Sequence, residues 1–137
     1  MKVVLDTNVL ISAFLFEKRL GKIVKLIEQG VITPCFVVYT FKEFETVLHY
    51  EKFVSLFEKA NTTIMEIREA IQSKSIILDD PKIIPSLVSD IADNYILAVA
   101  KQANAELIVT GDKLLLLLKH FEKIPIITPQ KFLHDHI

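Results

Sequence analysis

Five acidic residues stand where this chain could do chemistry: Asp6, Glu43, Asp90, Asp93 and Asp112. Asp6 opens the polar triplet Asp6-Thr7-Asn8, directly after the apolar run Val3-Val4-Leu5. Asp112 closes a second such triplet, Thr110-Gly111-Asp112, directly after Leu107-Ile108-Val109. Carboxylate oxygens are hard ligands that suit Mg²⁺ or Mn²⁺. Gathered without a cation they repel one another, and some hold a proton they would otherwise lose. A divalent ion removes that conflict, so acids brought together from distant parts of a chain point to metal-assisted chemistry.

The elements around them follow from periodicity. Residues 3–5 read as a short buried strand, and Val9 to Phe16 continue as a helix. Leu20, Ile23, Val24 and Ile27 recur at helical spacing, with Gly30 placed to stop that helix. Ile32 to Val38 reads as a second strand. Thr40 and Glu43 match a capping box at the start of the next helix, which carries Phe41, Phe44 and Leu48 on one face as core residues. Residues 51–73 are helical in pattern, Ser75 to Leu78 is a strand, and Asp79-Asp80-Pro81 with Pro85 marks a loop. Ser89-Asp90 opens a helix whose small residues let it lie close to a sheet. Leu107 to Val109 is a strand, Lys113 to Lys119 a short helix, Ile124 to Ile127 the last strand, and Pro129 starts a terminal helix. Short apolar strands alternating with helices imply a parallel sheet covered on both faces. In such a sheet ligands bind at the carboxyl edge, where helices that follow strands begin. All five acids are aimed there.

Each acid also has a plain structural explanation. A carboxylate near a helix N-terminus caps free N–H groups and meets the dipole favourably, a contribution of about 1 kcal/mol with no function attached. The capping box accounts for Glu43, and a cap position accounts for Asp90. Asp6 and Asp112 are harder to explain in this way, and caps do not predict acids at several strand ends together. Glu45 competes with Glu43. At about 100° per residue the two lie on different faces of one helix, so only one can join the cluster.

At these residues the sequence resembles a known family. Val4-Leu5-Asp6-Thr7-Asn8-Val9-Leu10-Ile11-Ser12-Ala13 is similar to the opening of a PIN domain. Glu43 with Val47-Leu48, Asp93-Asn94-Tyr95-Ile96-Leu97-Ala98-Val99-Ala100, and Val109-Thr110-Gly111-Asp112 resemble the family's later acidic sites, in order. The resemblance runs from residue 3 to about residue 128 and is closest to the prokaryotic toxin-like branch of VapC ribonucleases. It implies a single PIN-like domain over residues 1–137, a three-layer α/β/α sandwich with a central, mainly parallel sheet. It implies Asp6, Glu43, Asp93 and Asp112 as catalytic and metal-binding acids for one or two Mg²⁺ or Mn²⁺ ions. Asp90, Thr7, Asn8 and Thr110 take supporting roles, orienting carboxylates or water through hydrogen bonds. Ordinary turn and capping duty is the competing account of Thr7, Asn8 and Thr110.

The activity implied is hydrolysis of RNA phosphodiesters, leaving 5′-phosphate and 3′-hydroxyl ends. A metal ion would lower the pKa of a water, and a second would stabilise the leaving oxygen. Glu43 or Asp93, where not fully used as a ligand, would serve as the base. The partners implied are an RNA substrate, a small antitoxin protein and a second copy in a homodimer, for which the apolar stretch Leu114 to Leu118 could bury on two sides. The alternative is a PIN fold that binds or scaffolds without cutting. Two other small α/β folds fit less well. A phospho-acceptor receiver wants an acid pair where Asp6 stands alone, and a haloacid-dehalogenase-type phosphatase wants an acid at Asn8. RNA-contacting residues are not assigned. Lys18, Arg19, Lys22 and Lys25, or Lys113, Lys119 and His120, could hold phosphates, but a solvated helix surface accounts for both sets. His134 and His136 flank Asp135 in what reads as a mobile tail.

Composition sets the outer limits. The chain has 137 residues, 51% of them hydrophobic, which excludes intrinsic disorder and suffices for a core without staples. Sixteen basic residues stand against 17 acidic, a net charge of −1, unlike a dedicated nucleic-acid binder. No apolar stretch is long enough to cross a bilayer. The charge at Asp6 interrupts the apolar run that a leader would need, and the one cysteine, Cys35, makes no internal disulfide; the expectation from both is a cytoplasmic protein.

Overall fold

The computed structural model describes residues 1–15 and 21–136. The chain begins with β1 (Lys2–Leu5), α1 (Thr7–Leu15), α2 (Gly21–Glu28), β2 (Thr33–Val37) and α3 (Val38–Leu48). It continues through α4 (Glu51–Lys59), α5 (Ile64–Lys74), β3 (Ile76–Leu78), α6 (Ile91–Ala103) and β4 (Leu107–Val109). It closes with α7 (Lys113–Leu117), β5 (His120–Phe121), β6 (Ile124–Ile127) and α8 (Pro129–His136). The strands form one sheet in the order β3-β2-β1-β4-β6-β5. All neighbours are parallel except β5 and β6. Strand order reverses at β1, whose Leu5 pairs with Val109 of β4 on one side while Val3 pairs with Pro34 of β2 on the other. The carboxyl ends of β1 and β4 therefore flank the crevice where an open parallel sheet binds its ligands.

The two faces of the sheet separate residue by residue, as the period of 2 requires. Val3, Leu5, Phe36 and Val109 pack into a core with α1, α2, α3, α5 and α8, centred on Leu10, Ile23, Phe44, Ile71 and Phe132. Val4, Cys35, Val37, Ile108 and Ile126 face the other way, onto Leu97, Val99, Ala100 and Ala103 of α6 and Leu115 of α7. The small residues of α6 let it lie against the strands. The arrangement is the three-layer α/β/α sandwich with a mainly parallel sheet. Phe41 and Phe44 are buried, as core spacing predicts.

Several local expectations are corrected. Val38 opens α3 rather than extending β2, so Thr40 is not the cap residue and Glu43 lies in the second turn. The Thr40 hydroxyl instead accepts a hydrogen bond from the Val37 N–H at 3.0 Å. The helical pattern of 51–73 is two helices, separated where Asn61 adopts φ 56° and Thr63 caps α5 by accepting the Glu66 N–H. The antiparallel hairpin of β5 and β6 was not anticipated. His134, Asp135 and His136 are the last turn of α8, not a loose tail. The His136 ring stacks on Phe132 at 4.6 Å. Phe16, Lys18, Arg19 and Leu20 lie outside the described residues. No helix among the described residues is long and apolar enough to cross a membrane.

Candidate functional site

Asp6 leaves the end of β1, and its own N–H extends the ladder by donating to the Val109 carbonyl at 3.0 Å. Both of its carboxylate oxygens are engaged. One accepts the Asn8 N–H at 3.3 Å, the other the Thr110 hydroxyl at 2.8 Å. The Thr110 hydroxyl also accepts the Asp112 N–H at 3.0 Å. Thr110 is fully buried, so this one hydroxyl fastens the ends of β1 and β4 together and sets the direction of both acids. Asp112 caps α7 with a single oxygen, which accepts the N–H groups of Leu114 and Leu115 at 2.8 and 3.2 Å. Asp6 and Asp112 line one groove, together with Asn8, Ser12, Gly111 and Gln130.

Asp93 projects from the first turn of α6 and is only 6% exposed. Its Oδ2 is buried and has no hydrogen-bond partner. Burial, then the charges of Asp112, Asp90 and Asp6, then a hydrogen bond shared with Asp112 push its pKa up to about 6 from 3.8. Burial also raises Asp6, helped by Asp112 and Asp90 and opposed by the Thr110 hydroxyl and the Asn8 N–H. Glu43 is raised by burial and by Asp6 and Asp90. The five acids thus feel one another as a cluster. Asp90 does what a cap does: its carboxylate accepts the Ala92 N–H at 2.8 Å. Glu43 stands slightly apart, lining a narrow cleft with Thr7, Thr40, Ala92 and Ile96. The capping-box account of Glu43 falls with the correction at Val38, while Asp112, which looked hardest to explain as a cap, is one. Glu45 faces away and pairs with Arg68 of α5.

The residues suit a divalent cation in their chemistry. They are hard oxygen donors, three of which (Asp6, Glu43 and Asp93) hold their protons more tightly than usual, and one buried oxygen lacks any partner. They are not closed around a point. Among the described residues no three His, Cys, Asp or Glu side chains lie near enough to hold an ion as they stand. His134, Asp135 and His136 form no such set either. Lys22, Lys25, Lys113, Lys119 and His120 are exposed.

Sequence reasoning passed over Asn94. It is 4% exposed, accepts the Leu87 and Val88 N–H groups at 3.1 Å each, and donates to the Val88 carbonyl at 2.8 Å. It ties the 79–90 loop to the turn that carries Asp93. An asparagine directly after a candidate ligand was the only available signal.

The model of the PIN domain family matches residues 2–114. The chain belongs to the PIN domain family. No curated protein and no solved structure matches it. PIN domains are generally nucleases and generally use divalent metal ions. The match takes in Asp6, Glu43, Asp90, Asp93 and Asp112.

Proposed function

We propose that this PIN domain is a metal-dependent endoribonuclease of the toxin-antitoxin type. Its target would be single-stranded RNA, cut to leave 5′-phosphate and 3′-hydroxyl ends. The observation that carries the reading is the buried, unpartnered Oδ2 of Asp93 among Asp6, Asp90 and Asp112. An unsatisfied carboxylate oxygen in a like-charged cluster is costly, and a cation is what would offset the cost. Asp6, Asp93 and Asp112, with Glu43, would hold Mg²⁺ or Mn²⁺. The bound cation would supply positive charge that lowers the pKa of a water and steadies the phosphate.

The chain's own groups do the rest. Thr110 and the Asn8 N–H fix Asp6 in one orientation. The cap at α7 occupies one oxygen of Asp112 and leaves the other for the site. In the metal-free site the pKa of Asp93 is pushed up to about 6, and Asp93 would take a proton from water only where the cation leaves it free as a ligand. Glu43 is the second candidate for that task. The exposed Asn8, which lines the groove, and the exposed Lys113, next to Asp112 in the chain, would meet phosphate oxygens. Leu114 and Leu117 are exposed on α7; we assign this apolar face to a second copy in a homodimer, and a monomer by light scattering at micromolar concentration would refute it. A small antitoxin as partner rests on the sequence resemblance.

One observation favours the other reading, a PIN fold that binds without cutting: the acids do not converge on a point as they stand. Incubation of purified protein with single-stranded RNA and Mn²⁺, followed by end-group analysis, separates the two. Fragments with 5′-phosphates support the nuclease. Intact RNA with no Mn²⁺ bound supports the scaffold.

A further inference from the structure

Beside the acid cluster lies an aromatic pair with no assigned role. The rings of Tyr39 on α3 and Tyr95 on α6 stack at 4.1 Å between centroids, inclined by 17°. Tyr39 keeps 41% of its surface in solvent. Its N–H donates to the Asp80 carboxylate at 2.8 Å, which holds the first turn of α3 against the end of β3. Among the described residues neither phenol makes a hydrogen bond within the chain, so a phenylalanine pair would pack as well.

The placement is specific. Tyr39 precedes Glu43 by four residues on one helix and so shares its face. Thr40 and Ile96, the residues next to each tyrosine, line the cleft that holds Glu43. Glu43 in turn feels Asp6 and Asp90. The pair therefore stands beside the cleft that holds Glu43. Acidic Asp79 and Asp80 lie next to it, which disfavours a phosphate there but not an uncharged base. Tyr39 is exposed here, whereas Phe36, Phe41 and Phe44 on β2 and α3 are buried.

We propose that Tyr39, backed by Tyr95, is a stacking platform for one unpaired nucleobase of the RNA strand whose phosphate lies at the acid cluster. The inference rests on the nuclease reading and deepens it: the site would take single strands, since a paired base cannot reach the ring. Tyr39 is a positioning residue, not a catalytic one.

The test is binding of a single-stranded RNA dodecamer, labelled with fluorescein for anisotropy, in Ca²⁺. A second series carries 2-aminopurine at one position at a time. Emission at a single position is expected to fall on binding. Tyr39→Leu should weaken binding roughly tenfold or more, the loss of one base–aromatic stack, and Tyr39→Phe should restore it. Removing that one base, leaving the sugar, should weaken wild-type binding equally and abolish the effect of Tyr39→Leu. If Tyr39→Leu fails to fold, Tyr39→Met takes its place, and a base-removal loss that the folded variant leaves unchanged overturns the platform. If wild-type protein cuts RNA in Mn²⁺ but no single base matters and Tyr39→Leu binds as tightly, the platform is overturned and the nuclease reading stands. If wild-type protein neither binds nor cuts RNA, both fall.

Discussion

Replacing Asp93 by asparagine should make the metal-free fold more stable while destroying the site. The rise of Asp93 from 3.8 to about 6 corresponds to roughly 3 kcal/mol between its two protonation states. The cluster lies at an edge that water reaches, so screening reduces the usable effect to about 1–2 kcal/mol. The folded state binds the Asp93 proton more tightly than the unfolded state does. The penalty is therefore fully present above pH 6 and is relieved as pH falls from about 6 towards 4. Asp6 and Glu43 are shifted in the same direction and add to the trend. Asparagine mimics the protonated acid, and its amide can donate to Asp112 where the shared proton stood. Urea unfolding in EDTA should show wild type gaining stability between pH 8 and pH 5. Asp93→Asn should be about 1–2 kcal/mol more stable than wild type at pH 8, with a flatter profile, the difference about halved at pH 5 and the two converging towards pH 4. Added Mn²⁺ should reverse the order at pH 8, because a ligand that binds only the folded state stabilises it by mass action. A variant less stable than wild type at pH 8 in EDTA, or a wild type with no pH dependence in this range, would refute the reasoning.

Other substitutions separate structural from chemical roles. Glu43→Gln should lower RNA cleavage by at least tenfold at near-unchanged stability. Glu45→Gln should leave cleavage intact and cost under about 1 kcal/mol, the worth of a partly exposed ion pair; parallel cleavage and melting assays compare them. Thr110→Val leaves Asp6 and the Asp112 N–H without their shared partner and should cost about 2 kcal/mol in urea unfolding. Its activity profile should shift to higher pH, since Asp6 loses the hydrogen bond that lowers its pKa, and Thr110→Ser should restore both. Asn94→Ala removes three hydrogen bonds and should speed amide exchange at Leu87 and Val88, read by hydrogen–deuterium exchange, while leaving β1 and β4 protected.

Much of this was legible along the chain because the signals are local. Val3-Val4-Leu5 and Leu107-Ile108-Val109 are short apolar runs ended by polar triplets, and a parallel sheet places both endings at one edge. The stripe from Ala92 to Ala103 announces a helix that lies close to strands. The errors have local causes too. The pattern Thr-x-x-Glu occurs at Thr40–Glu43 and again at Thr63–Glu66, and only the second starts a helix. At the first, β2 runs directly into α3 and leaves no room for a separate cap. The second went unused because the apolar spacing of 51–73 continues across Asn61. The β5 hairpin turns through Glu122 at φ 54°, a residue type that gives no turn signal. Asn94 and the Tyr39–Tyr95 stack depend on segments that meet only after folding: a loop doubling back onto α6, and two helices converging over one cleft. The acids could be named from the sequence. That Asp93 carries an unpartnered oxygen, while Asp112 gives one to a helix cap, depends on how α6 and α7 pack in the fold.

On the reading proposed above, this acid cluster cuts RNA with the help of a divalent cation. Its most direct test is cleavage of a single-stranded RNA by purified protein in Mn²⁺, in EDTA, and by Asp93→Asn in Mn²⁺. The account predicts cutting in the first condition only. Cutting that survives both EDTA and the substitution would contradict it, as would intact RNA in all three from a folded protein that binds no Mn²⁺.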